Sequence, residues 1–321
     1  MNSKLSLATR LVADVGGTNT RLALYDARRD EFRALATYIN REYSGIEGVI
    51  TDWLSHLDEA PPQSSCIAIA APPGDDRVSM SNLDWSFSCR DLARRFHMQR
   101  VDWINDFTGN AYALPYLRAA DREELRAGDP GVSRRLAVVG PGTGLGGATV
   151  EETRGGHLAC ACEPGHMGLS PADEEELDLF RLLLPRHGNI YSELLVSGPG
   201  LQRLYEALAE LRGQAVVARS PAEISSRALA GSDPLCAAAL ERFCAMLGSA
   251  CGDFILATGS YGGLYLAGGI VPRMIPFLRD SAFLERMAAK GAMRDHLSAV
   301  PVYVITNAHP GLVGAAHAPL R

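Results

Sequence analysis

The chain has 321 residues, with 37 acidic against 31 basic side chains for a net charge of −6 and 47% hydrophobic content. That length exceeds what a single hydrophobic core usually supports, so two lobes are expected. The acidic balance offers no footprint for nucleic acid or an anionic membrane. The seven cysteines, an odd number in apolar or helical contexts, exclude the disulfide framework of a small secreted domain. They read as reduced thiols in a cytoplasm, and the N-terminal stretch has no signal-peptide core.

In chain order, "RLVAD", "RLALYD" and "FRALATYI" predict three successive antiparallel strands, with "DVGGTNTR" as the turn between the first two. A helix follows over about 44–57, then a buried strand over 66–72 and a short strand at "RVSMSN". Ser88 caps a helix over 88–98, and the strand "VDWIND" ends on Asn105 and Asp106. The polar stretch 117–135, with "AGDPGVS", is the boundary candidate, giving lobes of 1–116 plus 308–321 and 117–307.

The second half opens with strand "RLAVVG", a glycine turn and strand "ATVEE". It continues with helices over 173–186, 199–212, 221–230 and 234–257, strands over 263–269 and 302–306, and a short helix after "HPGLVG". The uncharged run 254–272 is nominally long enough to span a bilayer, but its five glycines predict a buried helix end, a turn and a core strand instead. Strands mixed with helices throughout argue an α/β fold. The halves echo each other, "LVADVGGTNT" against "LAVVGPGTGLGG", which implies a duplicated lobe.

Residues 142–147 of "GPGTGLGG" match G-x-G-x-x-G, the dinucleotide fingerprint. That fingerprint must open a helix, whereas "ATVEETRGGHLA" returns as a strand, so a nicotinamide site is not expected. What remains is bare backbone whose N–H groups can approach an anion, once in each half. A carboxylate at Asp14 beside such a turn calls for a cation, Mg²⁺ being the usual one; the alternative is a tight hairpin capped by Asp14 and Asn19. Asp106 reads either as a helix N-cap or as a general base at a strand end. His157, Cys160, Cys162 and His166 do not have zinc spacing. Glu163 and His166 flank a Pro-Gly turn and can hydrogen-bond a polar ligand, joined by Glu193 unless that is an ordinary exposed glutamate. The acidic run "DEEELD" belongs to the first turn of a helix and needs no active site.

Together, "DVGGTNTRLALYD", "APPGDDRVSMSNLDWSFS", "INDFTGNAYALP", "GPGTGLGG", "EPGHMGLSP", "SELLVSGPGLQRLY", "GGLYLAGGIVPR" and "HPGLVGAAH" resemble the successive motifs of the bacterial ATP-dependent glucokinases, in order and over nearly the whole chain. The resemblance implies the two-lobed sugar kinase and actin-like ATPase fold, each lobe on a ribonuclease H-like sheet, with substrate bound between the lobes, and a cytoplasmic homodimer. It implies phosphorylation of glucose at the 6-hydroxyl by ATP with Mg²⁺; a kinase for fructose, mannose or an N-acetylated amino sugar is the alternative. By motif, Asp106 corresponds to the catalytic base, and Asn82, Asn105, Asp106, Glu163, His166 and Glu193 to the glucose ligands. Asp14, Gly16, Gly17, Thr18 and Asn19 correspond to the first phosphate loop, with Asp14 toward Mg²⁺ through water. Gly142, Thr143 and Gly144 correspond to the second, and Gly268 and Gly269 to the adenosine-side turn. Asp75 departs from the family, which more often has glycine there, and the C-x-C pair precedes the E-x-G-H motif, unlike the cysteine cluster of related repressor and open-reading-frame kinases.

Overall fold

A computed structural model describes residues 9–71, 74, 76–80, 83–129, 131 and 133–320. The chain divides into two units. One holds the chain up to Leu117 together with His157–Ala161 and the segment from Asn307 on; the other holds Arg118–Gly156 and Cys162–Thr306.

The first unit is built on β1 (Thr9–Val15), β2 (Asn19–Asp26), β3 (Glu31–Ile39), β4 (Ser64–Ile69) and β7 (Arg100–Asn105), in the order β3-β2-β1-β4-β7. The strands β5 (Arg77–Ser79) and β6 (Ser86–Ser88) pair separately as a small ribbon. Strand β1 runs antiparallel to β2 and parallel to β4, and β4 runs parallel to β7. The central strands are apolar on both faces, β4 being buried along its whole length, because helices cover the sheet on each side. Alternation along β1 sends Leu11, Ala13 and Val15 to one core with Trp53 and Leu92, and Val12 to the other with Tyr112 and Leu312. On that second side the helices Asp106–Ala113 and Pro310–His317 touch backbone to backbone. A Cβ at Gly314 would collide with the Gly109 carbonyl, so only glycine fits there.

The second unit contains β8 (Arg122–Arg126), β9 (Arg135–Pro141), β10 (Leu145–Thr153), β12 (Gly263–Leu266) and β13 (Val302–Ile305), its sheet including the order β10-β9-β12-β13-β8. Here β9 is antiparallel to β10 and parallel to β12, and β12 is parallel to β13. This repeats the pairing of β2-β1-β4-β7, so the duplication read from two glycine turns extends to whole sheets. The helix Pro234–Thr258 is long and apolar enough to cross a membrane, yet it is mostly buried and supplies Leu240, Phe243, Leu247 and Phe254 to the core. Gly259 ends it in the left-handed conformation at φ 66°, and β12 follows, so the run 254–272 is a helix end, a turn and a core strand.

Three differences from the sequence expectations stand out. The stretch 117–135 contains strand β8, antiparallel to β13 at the edge of the sheet. Its sequence "REELR" has four charged residues and one buried leucine, so it lacks the apolar alternation that announces a strand. The piece His157–Ala161 of β11 (Gly156–Cys162) belongs with the first unit, where Ala159 packs beside the Val12 cluster and His157 meets the Tyr116 ring edge-on. The terminal helix starts at Pro310, inside "HPGLVG" rather than after it.

The acidic run does more than favour a helix dipole. Asp173 caps the helix Glu174–His187 by accepting from the Glu176 N–H. Glu176 itself is fully buried, held by two hydrogen bonds from Arg286 at 2.7 and 2.9 Å and one from the Ala172 N–H at 2.8 Å. Cys66, Cys89, Cys236, Cys244 and Cys251 are also buried, while Cys160 is exposed. Burial pushes the Cys66 and Cys89 thiols up to about 12 and Cys236 to about 11.

Candidate active site

In the first unit the β1–β2 hairpin carries Asp14 as the penultimate residue of β1 and closes through Gly16, Gly17, Thr18 and Asn19. The Gly16 N–H donates to the Asn19 carbonyl at 3.0 Å, while Gly17 and Thr18 are exposed. Neither Gly16 nor Gly17 lies in the left-handed region, so their value is the absent side chain rather than unusual backbone freedom. The Asp14 carboxylate is one-fifth exposed, with Arg21 Nη1 at 3.6 Å, beyond direct hydrogen bonding. The helix Pro310–His317 presses its first turn against this group: a Cβ on Gly311 would lie 2.7 Å from Asp14 Oδ1.

Asp106 opens the helix Asp106–Ala113, but Asn105 is its cap. The Asn105 Oδ1 accepts from Phe107 N at 3.0 Å and Thr108 N at 3.3 Å, and its Nδ2 donates to the Ala71 carbonyl at 3.2 Å. The capping alternative for Asp106 is therefore corrected: a neighbouring amide does that work and leaves the carboxylate available. Burial pushes the Asp106 carboxyl above its usual range, the Phe107 N–H opposes this, and the nearby Asp14 charge raises it further. Asp14 is likewise raised by burial, partly offset by Arg21. Two acids that share one environment and resist ionisation together are a setting for proton transfer or for a cation. Asn82 and Asp75 lie outside the described residues.

In the second unit the β9–β10 hairpin carries Gly142, Thr143 and Gly144. Glu193, in the short helix Ser192–Leu195, accepts a hydrogen bond on Oε2 from the Leu145 N–H at 2.8 Å. It is partly buried, not the ordinary exposed glutamate of the alternative reading. A Cβ on Gly144 would collide with this oxygen, and one on Gly165 would come within 3.2 Å of it. Gly165 sits in the turn Pro164–His166, next to Glu163 and His166, whose Oε2 and Nδ1 atoms are 3.9 Å apart and whose side chains are well exposed. The His166 ring stacks on Tyr191 at 5.6 Å between centroids, which fixes its plane. Glu163, His166, Glu193 and Gly144 are thus brought together within this unit. Among the described residues no three His, Cys, Asp or Glu side chains are grouped to hold a metal.

A cavity of about 730 Å³ adjoins the same turn, lined by Gly142 and Thr143, by Gly198 at a helix start, by Pro221 and Ser225 of the helix Pro221–Leu229, and by Gly269 and Arg273. Gly142 accepts from the Gly198 N–H at 2.8 Å, tying the turn to the N-terminus of the helix Gly198–Leu211. Gly268 has φ 86°, and a Cβ there would lie 2.6 Å from the Pro141 carbonyl. The two glycine segments that the sequence assigns to nucleotide, 142–144 and 268–269, therefore meet at one cavity. Sequence reasoning assigned no place to Arg273, which closes the motif "GGLYLAGGIVPR" and lines this cavity, or to Asn40, a lone amide at a strand end that bonds the first glycine turn.

The family model described as Glucokinase matches residues 11–320. The chain is 40% identical to a glucokinase of Chromobacterium violaceum, over 96% of this chain and 88% of that protein. It is 39% identical to one of Psychromonas ingrahamii, over 95% of each. Among solved structures, a glucokinase from an Antarctic psychrotroph superposes with a TM-score of 0.89 at 36% identity, covering 97% of this chain and 98% of the other. A glucokinase of the ROK family from Streptomyces griseus, in complex with glucose and AMPPNP, shares the fold at a TM-score of 0.63 and 18% identity, covering 96% and 98%.

Proposed function

The chain belongs to the glucokinase family, with its sugar kinase and actin-like ATPase fold and its ATP-dependent phosphorylation of glucose; on that premise, we propose that Asp106 is the base that activates the glucose 6-hydroxyl. The observation that carries this reading is the carboxylate relieved of capping by Asn105 and raised by burial beside Asp14.

In the reaction, Asp106 accepts the 6-hydroxyl proton as that oxygen forms a bond to the γ-phosphorus. The bond from that phosphorus to the β–γ bridging oxygen breaks, and ADP leaves. Asn105, anchored by three hydrogen bonds, also hydrogen-bonds the Asp106 carboxylate through its side chain, and so holds both the base and the first turn of its helix. Asn82, Glu163, His166 and Glu193 complete the proposed sugar ligands. A site built on hydrogen bonds to hydroxyls rejects an analogue lacking one far more strongly than an apolar pocket would. Within the loops Gly16–Asn19 and Gly142–Gly144, the backbone N–H groups of Gly17, Thr18, Thr143 and Gly144 are the ones offered to phosphate oxygens. Gly269 and the 730 Å³ cavity suit the adenosine, with apolar walls from Pro221 and Ile270.

Asp14 fits Mg²⁺: it is a hard oxygen donor, it resists ionisation where it stands, and its oxygens are beyond hydrogen-bond reach of Arg21. The cation supplies charge neutralisation at the phosphates when bound. The same reading takes the working form to be a cytoplasmic homodimer, handling small molecules without nucleic acid or membrane.

A coupled assay for ADP formation with a sugar panel tests this. Glucose is expected to give the highest kcat/KM, and ADP formation is expected to vanish without sugar or without Mg²⁺. Asp106→Ala should lower kcat by about 10²- to 10⁴-fold, the usual contribution of a positioned base, with glucose still bound in calorimetry. Near-normal turnover in that variant would refute the base assignment.

A further inference from the structure

Asn40 has no part in the roles assigned above, yet it is almost fully buried at 1% exposure and directs its side chain and its N–H to one feature. Its Nδ2 donates to the Gly16 carbonyl at 2.8 Å, and its backbone N–H donates to the Thr18 carbonyl at 2.9 Å. Its Oδ1 accepts from Thr20 Oγ1 at 2.8 Å. Both flanks of the first glycine turn are thereby held by a single residue that follows β3.

A tight turn exposes carbonyl oxygens as readily as N–H groups, and an anion is repelled by the former as much as it is attracted by the latter. Asn40 takes the Gly16 and Thr18 carbonyls out of play. Among the described residues, no protein acceptor takes the N–H of Gly17 or Thr18, and both residues are exposed. Thr20 adds direction: by giving its proton to Oδ1, it fixes which end of the amide faces Gly16.

We infer that Asn40 is a positioning residue for phosphate binding, holding the Gly16 and Thr18 carbonyls inward so that the turn presents the N–H groups of Gly17 and Thr18. The inference rests on the reading of Gly16–Asn19 as a phosphate loop. Asn40 touches no substrate and acts through the turn.

The test compares steady-state constants for ATP and for glucose, with the melting temperature of each variant confirming that it is folded at the assay temperature. Asn40→Ser removes the donor to Gly16. Asn40→Asp keeps an acceptor for Thr20 but turns a carboxylate toward the Gly16 carbonyl. Both should raise the KM for ATP about tenfold, equivalent to about 1.4 kcal/mol, and leave the KM for glucose unchanged. Thr20→Val should raise the ATP KM by a smaller factor, about threefold, and Thr20→Ser should restore it. A purely structural role would lower the melting temperature and leave the split between ATP and glucose unmoved. If an Asn40 variant fails to fold, Thr20→Val carries the test.

Gly17→Asp separates the two ways of failing. If it raises the ATP KM while the Asn40 and Thr20 variants do not, the inference falls and the phosphate loop stands. If it too leaves ATP binding untouched, the loop reading falls and the inference with it.

Discussion

The two glycine turns occupy equivalent places in two equivalent sheets, each following a buried strand and each closing an antiparallel hairpin. They are secured by opposite chemistry. The first is held by a neutral buried amide that grips its carbonyls. The second is held by a carboxylate that takes the Leu145 N–H, and by a helix N–H that takes the Gly142 carbonyl. The first turn keeps the N–H groups of Gly17 and Thr18 for ligand, while the second spends that of Leu145 on Glu193. A duplicated backbone can thus be specialised by the residue that braces it, with no change to the hairpin itself.

The largest test of that contrast is on the second turn. Glu193→Ala should strand the Leu145 N–H and, on the reading above, remove a sugar ligand as well. The combined loss in kcat/KM for glucose is expected at about 10²-fold, roughly 3 kcal/mol. The KM for ATP should rise with it, because the same oxygen braces the turn; an unchanged ATP KM would confine Glu193 to the sugar. Next in size is Gly268→Ala, which forces a side chain into the left-handed region and against the Pro141 carbonyl. Calorimetry should find it destabilised by about 1–3 kcal/mol, and a change near zero would mean that β9 yields at its end.

The smallest effect lies beside the first turn. Asp106 is raised by burial in the folded state, so the fold retains that proton where the unfolded chain has lost it. Stability should then fall as pH rises above the ordinary carboxylate range, up to the folded value, and stay level beyond it. Asp106→Asn should be more stable than the parent at pH 7 and match it below about pH 4, as read from melting temperatures across pH. A variant less stable than the parent at pH 7 would mean that the carboxylate contributes to stability.

How much was legible follows from the kind of signal each feature leaves. Apolar runs broken by glycine turns identify β1, β2, β9 and β10, because buried central strands must be apolar and their turns must not be. Ser88 announces its cap by residue type, and the structure has it accept from the Asp91 N–H. Strand β8 does not announce itself, since an edge strand is half solvated and its charges look like a linker. Asn40 is hidden for another reason. A lone asparagine after a strand reads as loop, and only tertiary structure reveals that its amide points at Gly16, 24 residues earlier. The exchange of roles between Asn105 and Asp106 is subtler, because adjacent residues both suited to capping cannot be told apart by composition.

The disposition of the thiols bears on how the molecule can be handled. Five are sealed in apolar cores, whereas the exposed Cys160 and the half-buried Cys162 lie two residues apart on β11. Maleimide labels should therefore react first at Cys160, with Cys162 on the same strand the other accessible thiol, so that a fluorophore or spin label is directed to β11 without any cysteine being replaced.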